Sequence, residues 1–393
     1  MNETRIMTIG EVCATISDTY RAKADEVTLI NTSDVLEGKV LNHERVPNKE
    51  LKGQFKKTFK KNDILYSEIR PQNKRFAFVD FEPVDYIAST KLMVLRADTS
   101  KVLPMYLYYY LKSAPVIAEL QMLAETRSGT FPQITFTELS NLTIPVPSIS
   151  EQEAIVATIK CMEDRIDCNA KINDNLQQQA YAYFLQLFIE NADPSWRVGK
   201  IADLGTVVGG GTPSKAKPEY YTDDGIAWIT PKDLSIDKSK FIAHGENDIS
   251  ELGYRNSSAT MMPVGTVLFS SRAPIGYIAI ASNEVTTNQG FKSVVPHPEI
   301  GTPFVYYFLI HDLPLIESKA SGSTFKEVSG SVMKSVEAVI PDGNTIAKFN
   351  DFCRPVFEMQ EKLEQENRKL AAMRDSLLPR LMSGEIDVAD IGI

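Results

Sequence analysis

The chain has 393 residues, of which 43% are hydrophobic and 24% are charged, and its net charge is −9. This length favours two or more domains, and this composition is typical of globular proteins that build sizeable cores. No run of 18 apolar residues occurs, which argues against a membrane span, and the net negative charge taken alone argues against a polyanionic partner.

The cysteines and the first residues indicate the compartment. The four cysteines lie far apart without a C-x-x-C motif, which favours reduced thiols over a disulfide framework or a zinc site. The opening residues, MNETRIMTIG, lack the charged-then-apolar layout of a signal peptide. We therefore expect a cytoplasmic protein.

A lysine-rich stretch lies in the first half of this acidic chain. Residues 49–61, KELKGQFKKTFKK, hold six lysines and one acid. Such a basic island is typical of a surface that contacts a polyanion, and Lys56, Lys57 and Lys60 are its candidate contacts. The alternative interpretation is a solvated strand or loop face.

A polar turn follows the next apolar run, in the sequence IRPQNKRF. Arg, Asn and Gln are the side chains that contact guanine and adenine edges bidentately. Arg70, Gln72, Lys74 and Arg75 are therefore candidate base or phosphate contacts. In the second half, Arg272 follows two serines at the matching turn. Ion pairs within each domain are the alternative role for the two arginines.

The segments before residue 150 and between residues 193 and 344 share one texture. They are rich in Val, Ile, Thr, Tyr and Phe and are broken by Gly, Pro, Asn and Asp, as in FAFVDFEPVDYIAST and GTVLFSSRAPIGYIAIAS. This pattern predicts short strands and turns. Residues 104–123 and 303–319 are predicted to form shorter helices that pack on those strands, so each half is predicted to be an α+β domain.

A long helix is predicted after the first domain. Ser150 and Glu153 have the spacing of a capping box, and no Pro or Gly follows until Pro194. Apolar and small polar residues then alternate by four and three, which predicts a heptad seam. Its members are Ile155, Ile159, Met162, Ile166, Asn169, Asn173, Leu176, Ala180, Tyr183 and Leu187.

A glycine-rich segment, VVGGGTPSK, begins the second domain at residues 207–215. It matches neither the Walker pattern nor G-x-G-x-x-G. A turn of this kind lets the backbone approach a ligand closely, and Gly210, Gly211, Thr212, Ser214 and Lys215 suit a phosphate or a groove edge if the domain binds DNA. A plain turn is the alternative.

A second long helix is predicted near the end of the chain, with Pro379 and Gly384 as its stop. Two narrow apolar seams favour pairing of the two helices, and the polar seam residues Asn169, Asn173 and Glu366 would specify the register. The alternative is that each helix packs on its own domain. The second seam consists of Phe349, Phe352, Val356, Met359, Leu363, Glu366, Leu370, Met373 and Leu377.

Several segments of the first half recur in the second half in the same order. Thr130-Phe131 and Thr324-Phe325 are 324 − 130 = 194 residues apart, and each lies in a Ser/Gly/Thr segment. The other recurring pairs are DILYSEIRP with TVLFSSRAP, PMYLYYYL with PFVYYFLI, and LTIPVP with VEAVIP. Four pairs in one order indicate a duplicated domain that has diverged.

No catalytic motif stands out. The four histidines are isolated without metal-ligand spacing, and neither G-x-S-x-G nor H-E-x-x-H occurs. The Asn/Asp-Pro-Pro-aromatic element expected of an adenine methyltransferase is also missing from the sequence. We therefore expect a protein that is not an enzyme.

Two divergent domains, each followed by a long helix, resemble the specificity subunit of type I restriction–modification systems. The resemblance covers essentially the whole chain. Its most specific stretches are GGGTPSKAKPEYYTDDGIAWITPKDL at 209–234, GSTFKEVS at 322–329, SGTFPQITFTELSNLTIPVPSISEQEAI at 128–155 and MRDSLLPRLMSGEIDV at 373–388. The first domain has VCATISDTYR where the second has GGGTPS, so the role of that loop is not carried over to the first domain.

The resemblance implies a division of the chain. Residues 1–150 and 193–344 would be target recognition domains, each reading one half of a split DNA sequence. Residues 151–192 and 345–380 would be spacer helices, paired as an antiparallel coiled coil that fixes the gap between the half-sites. Residues 381–393 would be a C-terminal tail.

The resemblance also implies the partners. Two methyltransferase subunits would carry S-adenosylmethionine and dock on the helices and adjoining surfaces, and a restriction subunit using ATP and Mg would be a further partner. This chain would hold no cofactor or metal. The rival hypotheses are a coiled-coil scaffold with protein-binding domains and a DNA-modifying enzyme with an unrecognised site.

The predicted interface with double-stranded DNA collects candidates from both domains. Those of the first are Lys56, Lys57, Lys60, Arg70, Gln72, Lys74, Arg75 and Thr130; those of the second are Gly210, Gly211, Thr212, Ser214, Lys215, Lys232, Arg272, Thr324 and Lys326. The predicted seam of the helix pair consists of Ile155, Ile159, Met162, Ile166, Leu176, Val356, Met359, Leu363, Leu370, Met373 and Leu377.

Overall fold

The computed structural model describes residues 4–49, 53–126, 132–322, 326–388 and 391. The chain divides into two compact units. The first unit combines Met1–Ile166 with Lys369–Ile393, and the second unit is Asp167–Arg368. Each unit thus contains one globular body and a part of both long helices. The assignment of 1–150 and 193–344 as target recognition domains stays a prediction.

The body of the first unit is built on two four-stranded sheets. Its strands are β1 (Arg5–Thr8), β2 (Cys13–Ile16), β3 (Glu26–Ile30), β4 (Val35–Leu36), β5 (Lys39–Val40), β6 (Val46–Pro47), β7 (Phe55–Lys57), β8 (Ile64–Ser67), β9 (Phe76–Phe78), β10 (Tyr86–Ser89), β11 (Leu92–Ala97) and β12 (Thr143–Val146). Its helices are α1 (Ile9–Val12), α2 (Pro104–Leu111), α3 (Ala114–Glu125), α4 (Phe136–Ser140) and the long helix α5 (Ile149–Leu185).

The sheet orders show how these strands are used. One sheet has the order β2-β11-β8-β9, the other has β6-β3-β10-β7, and β1 pairs with β12 in an antiparallel ribbon. Strand β8 is buried on both faces because its side chains alternate between two cores: Ile64 and Tyr66 belong to the core under α2, while Leu65 belongs to the core on the other side. A continuous apolar run such as ILYS therefore folds as a central strand.

The body of the second unit is built on one five-stranded sheet. Its strands are β13 (Arg197–Lys200), β14 (Gly205–Gly209), β15 (Tyr221–Thr222), β16 (Trp228–Ile229), β17 (Phe241–Ile242), β18 (Asp248–Ile249), β19 (Val267–Ser271), β20 (Ile275–Ala281), β21 (Thr286–Thr287), β22 (Lys292–Pro296) and β23 (Glu337–Ile340). Its helices are α6 (Ile201–Leu204), α7 (Pro231–Ile236), α8 (Glu251–Arg255), α9 (Thr302–His311), α10 (Leu313–Ser318), α11 (Gly330–Ser335) and the long helix α12 (Gly343–Ser383).

The second body repeats the frame of the first. The sheet order β14-β22-β19-β20-β17 contains the counterpart of β2-β11-β8-β9, and β13 pairs with β23 as β1 pairs with β12. Helices α9 and α10 follow the sheet as α2 and α3 do, and each body ends in a ribbon strand and a long helix. The predicted α+β fold with an internal duplication is confirmed.

One turn matches in detail between the two bodies. Arg70 precedes Pro71 with φ 46°, and Ala273 precedes Pro274 with φ 48°, a left-handed conformation that non-glycine residues seldom adopt. The counterpart of Arg70 is therefore Ala273, as in the alignment of DILYSEIRP with TVLFSSRAP. Arg272 lies at the matching turn, one residue before that position.

The chain returns to this turn in the same way in both bodies. Ile134 donates its amide hydrogen to the carbonyl oxygen of Glu68 at 2.8 Å, and Val328 donates to that of Ser271 at 3.0 Å. These hydrogen bonds place the segments that follow the two Ser/Gly/Thr motifs at equivalent strand ends. Thr130 and Thr324, the candidates within the motifs, lie outside the described residues.

The two long helices pack against each other in an antiparallel manner, as predicted. In the first unit, Ile155 and Ile159 of α5 share a core with Leu378 and Leu381 of α12. In the second unit, the end of α5 shares a core with the beginning of α12, through residues that include Phe184 and Phe349. The start of one helix thus meets the end of the other. The alternative in which each helix packs only on its own domain is wrong.

The predicted polar interruptions of the seam meet one another in the second unit. Asn169 is completely buried and donates its amide hydrogens to Glu366 Oε2 at 3.0 Å and to Asn367 Oδ1 at 2.9 Å. Asn173 Nδ2 approaches the carbonyl oxygen of Gln360 at 3.5 Å. Because the NH₂ group of a buried amide finds acceptors in few alignments of the two helices, these contacts fit the predicted role in setting the register.

The seam of α12 differs from the prediction. Met359 and Met373 are exposed, while the neighbouring Gln360 is buried and Arg374 is half-buried. The buried face of α12 is rotated relative to the predicted seam because α12 also packs on the body of the second unit, where Phe357 contacts Phe241 and Tyr306. Among the other predicted seam residues, Ile155, Ile159, Met162 and Leu363 are buried, and Ile166, Leu176, Val356, Leu370 and Leu377 are half-buried.

The ends of the long helices also differ from the predicted ones. The capping box of α5 is formed by Ser148 and Glu151, whose side chains each accept from the other's backbone amide, and not by Ser150 and Glu153. Helix α5 ends at Leu185 and continues as one π-helical turn, Gln186–Glu190. Helix α12 runs through Pro379 to Ser383 and stops at Gly384, whose φ of 74° favours glycine.

Candidate nucleic-acid interface

A polar cleft of about 480 Å³ lies on the second unit, where five segments of the chain converge. These segments are the glycine-rich turn after β14, the stretch from β16 to the start of α7, the loop before β18, the turn after β19 and the loop after β21. The predicted candidates Thr212, Lys215, Lys232 and Arg272 all line this cleft. The other lining residues are Trp228, Thr230, Pro231, Asp233, Glu246, Asn247, Ala273, Asn288, Gln289 and Gly290.

The glycine-rich turn is held tightly against its neighbours. A Cβ atom at Gly210 would overlap the carbonyl oxygen of Asn288, and one at Gly211 would overlap the backbone of Ser258 and Ala259. Gly211 donates its amide hydrogen to the Thr287 carbonyl at 2.8 Å, and its own carbonyl accepts from Trp228 Nε1 at 2.9 Å. The glycines therefore allow a close approach of main chains, which positions Thr212 at the cleft.

Two amide side chains that were not predicted also line the cleft, on a loop that contacts the glycine-rich turn. Asn288 and Gln289 form the loop between β21 and β22. Asn288 Oδ1 accepts the Gly290 amide hydrogen at 2.8 Å, and Gln289 Oε1 accepts from the Thr212 hydroxyl. These contacts use the oxygens and not the NH₂ groups of the two side chains. The available signal was the sequence TTNQGF, an Asn-Gln pair before a glycine at a strand end.

Two cationic side chains of the cleft form ion pairs near the protein surface. Lys232 Nζ lies 2.5 Å from Glu246 Oε2, and this hydrogen bond raises the pKa of Lys232. Arg272 Nη1 lies 3.8 Å from Glu327 Oε2. Such exposed ion pairs contribute little free energy in water, so a phosphate can compete with the carboxylate for the cation.

The acid Asp233 in the same cleft has a structural role. Its carboxylate accepts hydrogen bonds from the backbone amide of Thr230 at 2.7 Å and from that of Glu246 at 2.9 Å. Asp233 thereby caps the start of α7 and fastens the loop that carries Glu246. Its carboxylate is therefore engaged by backbone amides of the fold.

The remaining predicted residues of the second unit lie around the cleft. Ser214 is exposed in the glycine-rich segment, and its carbonyl accepts from the Lys217 amide at 3.1 Å. Lys326 is exposed and adjoins Glu327, the partner of Arg272. They extend the polar rim.

Two of the predicted contact residues in the first unit have hydrogen-bond partners within the fold. Lys57 Nζ donates to the carbonyl oxygens of Thr90 at 3.0 Å and Leu92 at 2.8 Å, and burial lowers the pKa of Lys57. Arg75 Nη1 donates to the Ser33 carbonyl at 2.9 Å. Both side chains are committed to the fold, which the sequence does not reveal because the accepting carbonyls are distant along the chain.

The other candidates of the first unit that fall within the described residues are exposed. Lys56 and Lys60 flank the half-buried Lys57 on the lysine-rich stretch. Arg70, Gln72 and Lys74 lie on the 3₁₀ turn that follows β8, at the left-handed turn shared by both bodies. Lys74 Nζ forms an exposed ion pair with Glu37 Oε1 at 3.2 Å.

Among the described residues, no group of three or more His, Cys, Asp and Glu side chains is arranged to hold a metal ion. Within those same residues, no helix has the length and apolar character required to cross a membrane.

Comparison with known proteins gives consistent results for both halves. The model of the type I restriction modification DNA specificity domain family matches residues 1–178 and 194–366. The chain is 30% identical to the type I restriction enzyme HindI specificity subunit of Haemophilus influenzae over 98% of its own length and 100% of that protein. It is 37% identical to the MjaIX specificity subunit of Methanocaldococcus jannaschii over 48% of this chain and 44% of that one.

A solved structure supports the fold. The crystal structure of a type I restriction–modification system S subunit from M. genitalium superimposes with a TM-score of 0.58, covering 97% of this chain and 96% of that one at 17% identity. The family match to each half agrees with the duplicated bodies and the paired helices. The chain belongs to the family of type I restriction–modification DNA specificity subunits, and it is a DNA-recognition subunit with two repeated domains and not a catalytic subunit.

Proposed function

We propose that the cleft of the second unit reads one half of a bipartite DNA target. The observation that carries this proposal is the convergence of Lys215, Lys232 and Arg272 with the amides of Asn288 and Gln289 on one open cleft. Cations of this kind neutralise phosphates and supply salt-sensitive affinity. The side-chain amides of Asn and Gln pair bidentately with adenine, and Arg pairs with guanine, so the same cleft holds groups that discriminate bases.

The first unit would read the other half-site with the turn after β8. Arg70 and Gln72 are exposed there, on the element that corresponds to the Ala273 turn bordering the second cleft. Lys56 and Lys60 supply exposed positive charge on the same body. Because the two reading surfaces use different residues on one frame, they suit two different half-sites.

The long helices would set the gap between the half-sites and dock two methyltransferase subunits, which carry S-adenosylmethionine. Both helices are continuous through the residues that link the two units. A restriction subunit using ATP and Mg would join this complex in the cytoplasm. The net charge of −9 fits an assembly in which the partner subunits supply part of the contact with DNA phosphates.

Half-site discrimination tests the assignment of the clefts. The target is first read from the methylated adenines of the source genome, and the complex is then bound to DNA in which one half-site at a time is scrambled. Gln289→Ala should reduce discrimination at one half-site by about 5- to 150-fold, corresponding to about 1–3 kcal/mol. Gln72→Ala serves as the matched variant and should affect the other half-site. Loss at the same half-site in both variants would contradict the proposal.

A four-residue insertion in α5 tests the spacer role. The insertion lengthens the helix by about 6 Å, which corresponds to at most about two base pairs of DNA. The gap in the methylated sequence should widen, while both half-sites stay the same. A variant that methylates the original spacing with undiminished efficiency would show that the helices do not set the gap.

A further inference from the structure

The turn that carries Arg70 and Gln72 begins with an unusual capping residue. The 3₁₀ turn Pro71–Asn73 follows Arg70, which occupies its N-cap position. The first amide groups of a helical turn have no acceptor within it, and an N-cap Ser, Thr, Asn or Asp usually accepts from one of them. An arginine side chain only donates hydrogen bonds, so the side chain of Arg70 cannot accept the amide hydrogen of Gln72.

A glutamine from a helix distant in the sequence supplies this acceptor. Gln72 donates its amide hydrogen to Oε1 of Gln121, on α3, at 3.2 Å. Gln121 is buried, with 8% of its surface exposed, and its Nε2 donates to Oε1 of Glu125 at 2.7 Å. Because a carboxylate only accepts, Glu125 holds the NH₂ group of Gln121 and leaves its oxygen to the turn.

The returning chain holds the same turn at a second amide. Arg70 donates its amide hydrogen to the carbonyl oxygen of Pro132 at 3.0 Å, and Ile69 pairs with Gln133 in an isolated antiparallel bridge. The amides of Arg70 and Gln72 are thus engaged by two different segments of the first unit. The place of both side chains depends on these two anchors.

The matching turn of the second unit is held by a local residue. Ser270 is completely buried, and its hydroxyl donates to the Pro274 carbonyl at 2.9 Å and accepts from the Tyr277 amide at 2.7 Å. Its counterpart in the first unit is Ser67, three residues before the left-handed residue in both cases. The Ser67 hydroxyl accepts from the Ile69 amide at 3.1 Å, ahead of the turn.

The contact from α3 is specific to the first unit. Pro115 of α3 corresponds to Pro314 of α10, so the position equivalent to Gln121 is Ala320, beyond the end of α10. A methyl side chain cannot accept a hydrogen bond. The duplicated turns are therefore fixed by different residues, a buried serine in the second unit and a buried glutamine in the first.

We propose that Gln121 is a positioning residue for DNA reading by the first unit, because it holds the backbone of the turn that presents Arg70 and Gln72 to their half-site. This inference rests on the proposed function, which assigns the turn to one half-site. Since Gln121 accepts the amide hydrogen that an N-cap side chain would otherwise take, the N-cap position is open to an arginine that contacts DNA.

Substitution of two buried glutamines tests the positioning role. The full chain is purified with its methyltransferase subunit, and discrimination is the ratio of its affinities for the target and for DNA with one half-site scrambled. Gln121→Met should lower discrimination by about 3- to 10-fold at the half-site that Gln72→Ala affects, and leave the other half-site unchanged.

Gln152→Met is the matched control. Gln152 is also buried and accepts a backbone amide hydrogen, that of Leu103 at 2.8 Å, but it lies at the start of α5. Both methionine variants should lower the free energy of unfolding, since each leaves a backbone amide without its acceptor. Only Gln121→Met should change discrimination. Equal losses at both half-sites in Gln121→Met, or no loss at either, would overturn the proposal.

An exchange of side chains within α3 separates positioning from stability. Gln121→Glu combined with Glu125→Gln keeps an acceptor for the Gln72 amide and a donor–acceptor pair on the helix. Discrimination should return to within about 2-fold of the unmodified chain, and failure to return would contradict the proposal. Because Glu125 is exposed, Glu125→Ala tests the same contact without disturbing the core. It should lower discrimination at the same half-site by about 2-fold, and an unchanged value would also count against the role of Gln121.

The two levels of inference fail in different ways. If a chain with both Arg70→Ala and Gln72→Ala keeps its discrimination at both half-sites, the proposed function of the first unit fails. If that chain loses discrimination at one half-site and Gln121→Met does not, only the positioning role is wrong.

Discussion

The two units fill the same place between body and long helices with different side chains. In the first unit Ile155, Ile159 and Leu378 meet in the core. With the offset of 194 between the two halves, Ile155 corresponds to Phe349 and Ile159 to Cys353. Leu378 corresponds to Phe184, because the long helices exchange roles. A larger and a smaller residue thus replace two isoleucines. The difference teaches that the duplication preserved the apolar character of this core and not the identity of its residues, a kind of change that cores commonly tolerate.

The buried lysines near the same place differ more strongly. In the first unit Lys112 forms an ion pair with Glu163 of α5 beneath the ring of Tyr109. The position equivalent to Glu163 is Phe357. In the second unit the buried lysine is Lys240, which directly precedes β17, and its Nζ lies 4.1 Å from the centre of the Phe357 ring. One unit neutralises its cation with a carboxylate, and the other surrounds it with aromatic faces.

The largest expected effect comes from truncating the aromatic core. Phe184 is buried against six other rings, which include Phe188, Phe304 and Phe349, so Phe184→Ala should lower the free energy of unfolding by about 3–5 kcal/mol. Its counterpart Leu378→Ala should cost about 2–5 kcal/mol. Urea unfolding monitored by circular dichroism measures both. A loss below 1 kcal/mol at either position would show that this core adapts, contrary to the close packing described above.

A smaller effect is expected where the two reading surfaces differ. Gly210→Ala forces a methyl group onto the Asn288 carbonyl and should cost about 1–3 kcal/mol of stability, while also displacing the loop that carries Gln289. This displacement should also weaken the binding of the second unit to its DNA half-site. The control is Gly209→Ala, because a Cβ atom at Gly209 has no neighbour within 4 Å. Equal effects of the two substitutions would contradict the tight placement of the turn.

The contrast between the two lysines predicts that the free energy of unfolding changes with pH by about 1 kcal/mol. Burial lowers the pKa of Lys240 to about 7, well below its ordinary value of 10.5, and Glu364 opposes this shift. Above pH 7 the unfolded chain therefore binds more protons than the folded chain, so stability rises with pH up to about pH 10. The aromatic faces and Gln360 Oε1, at 2.6 Å from Nζ, favour the ammonium and reduce the gain.

The measurement compares the native chain with Lys240→Met between pH 7 and pH 9. The free energy of unfolding of the native chain should rise relative to that of the variant, by an amount on the order of 1 kcal/mol. Parallel pH profiles would show that Lys240 stays charged throughout this range. Lys112→Met is the matched comparison. Burial lowers the pKa of Lys112, but the Glu163 carboxylate opposes this shift, so a smaller change with pH is expected.

The sequence was most informative where one local pattern determines the structure. Apolar strands, proline-led helices such as α2 and the repeated order of segments were predictable because each depends on residues close together in the chain. The hydrogen bonds from Lys57 to the Thr90 and Leu92 carbonyls were not predictable, since they depend on tertiary contacts. Asn288 and Gln289 escaped prediction for the same reason: only the fold brings their loop to the glycine-rich turn.

The smallest expected effect concerns the register of the helix seam, where the sequence pattern misled. Met359 and Met373 continue the apolar spacing of α12 yet are exposed, so Met359→Gln and Met373→Gln should each change the free energy of unfolding by less than about 0.5 kcal/mol. Leu363→Ala, one turn away and buried, should cost about 2–5 kcal/mol. Suppose that the methionine variants lost as much unfolding free energy as the leucine variant. The helices would then pair through the stripe that the heptad pattern predicts, and Gln360 would face solvent and not pack against Asn173.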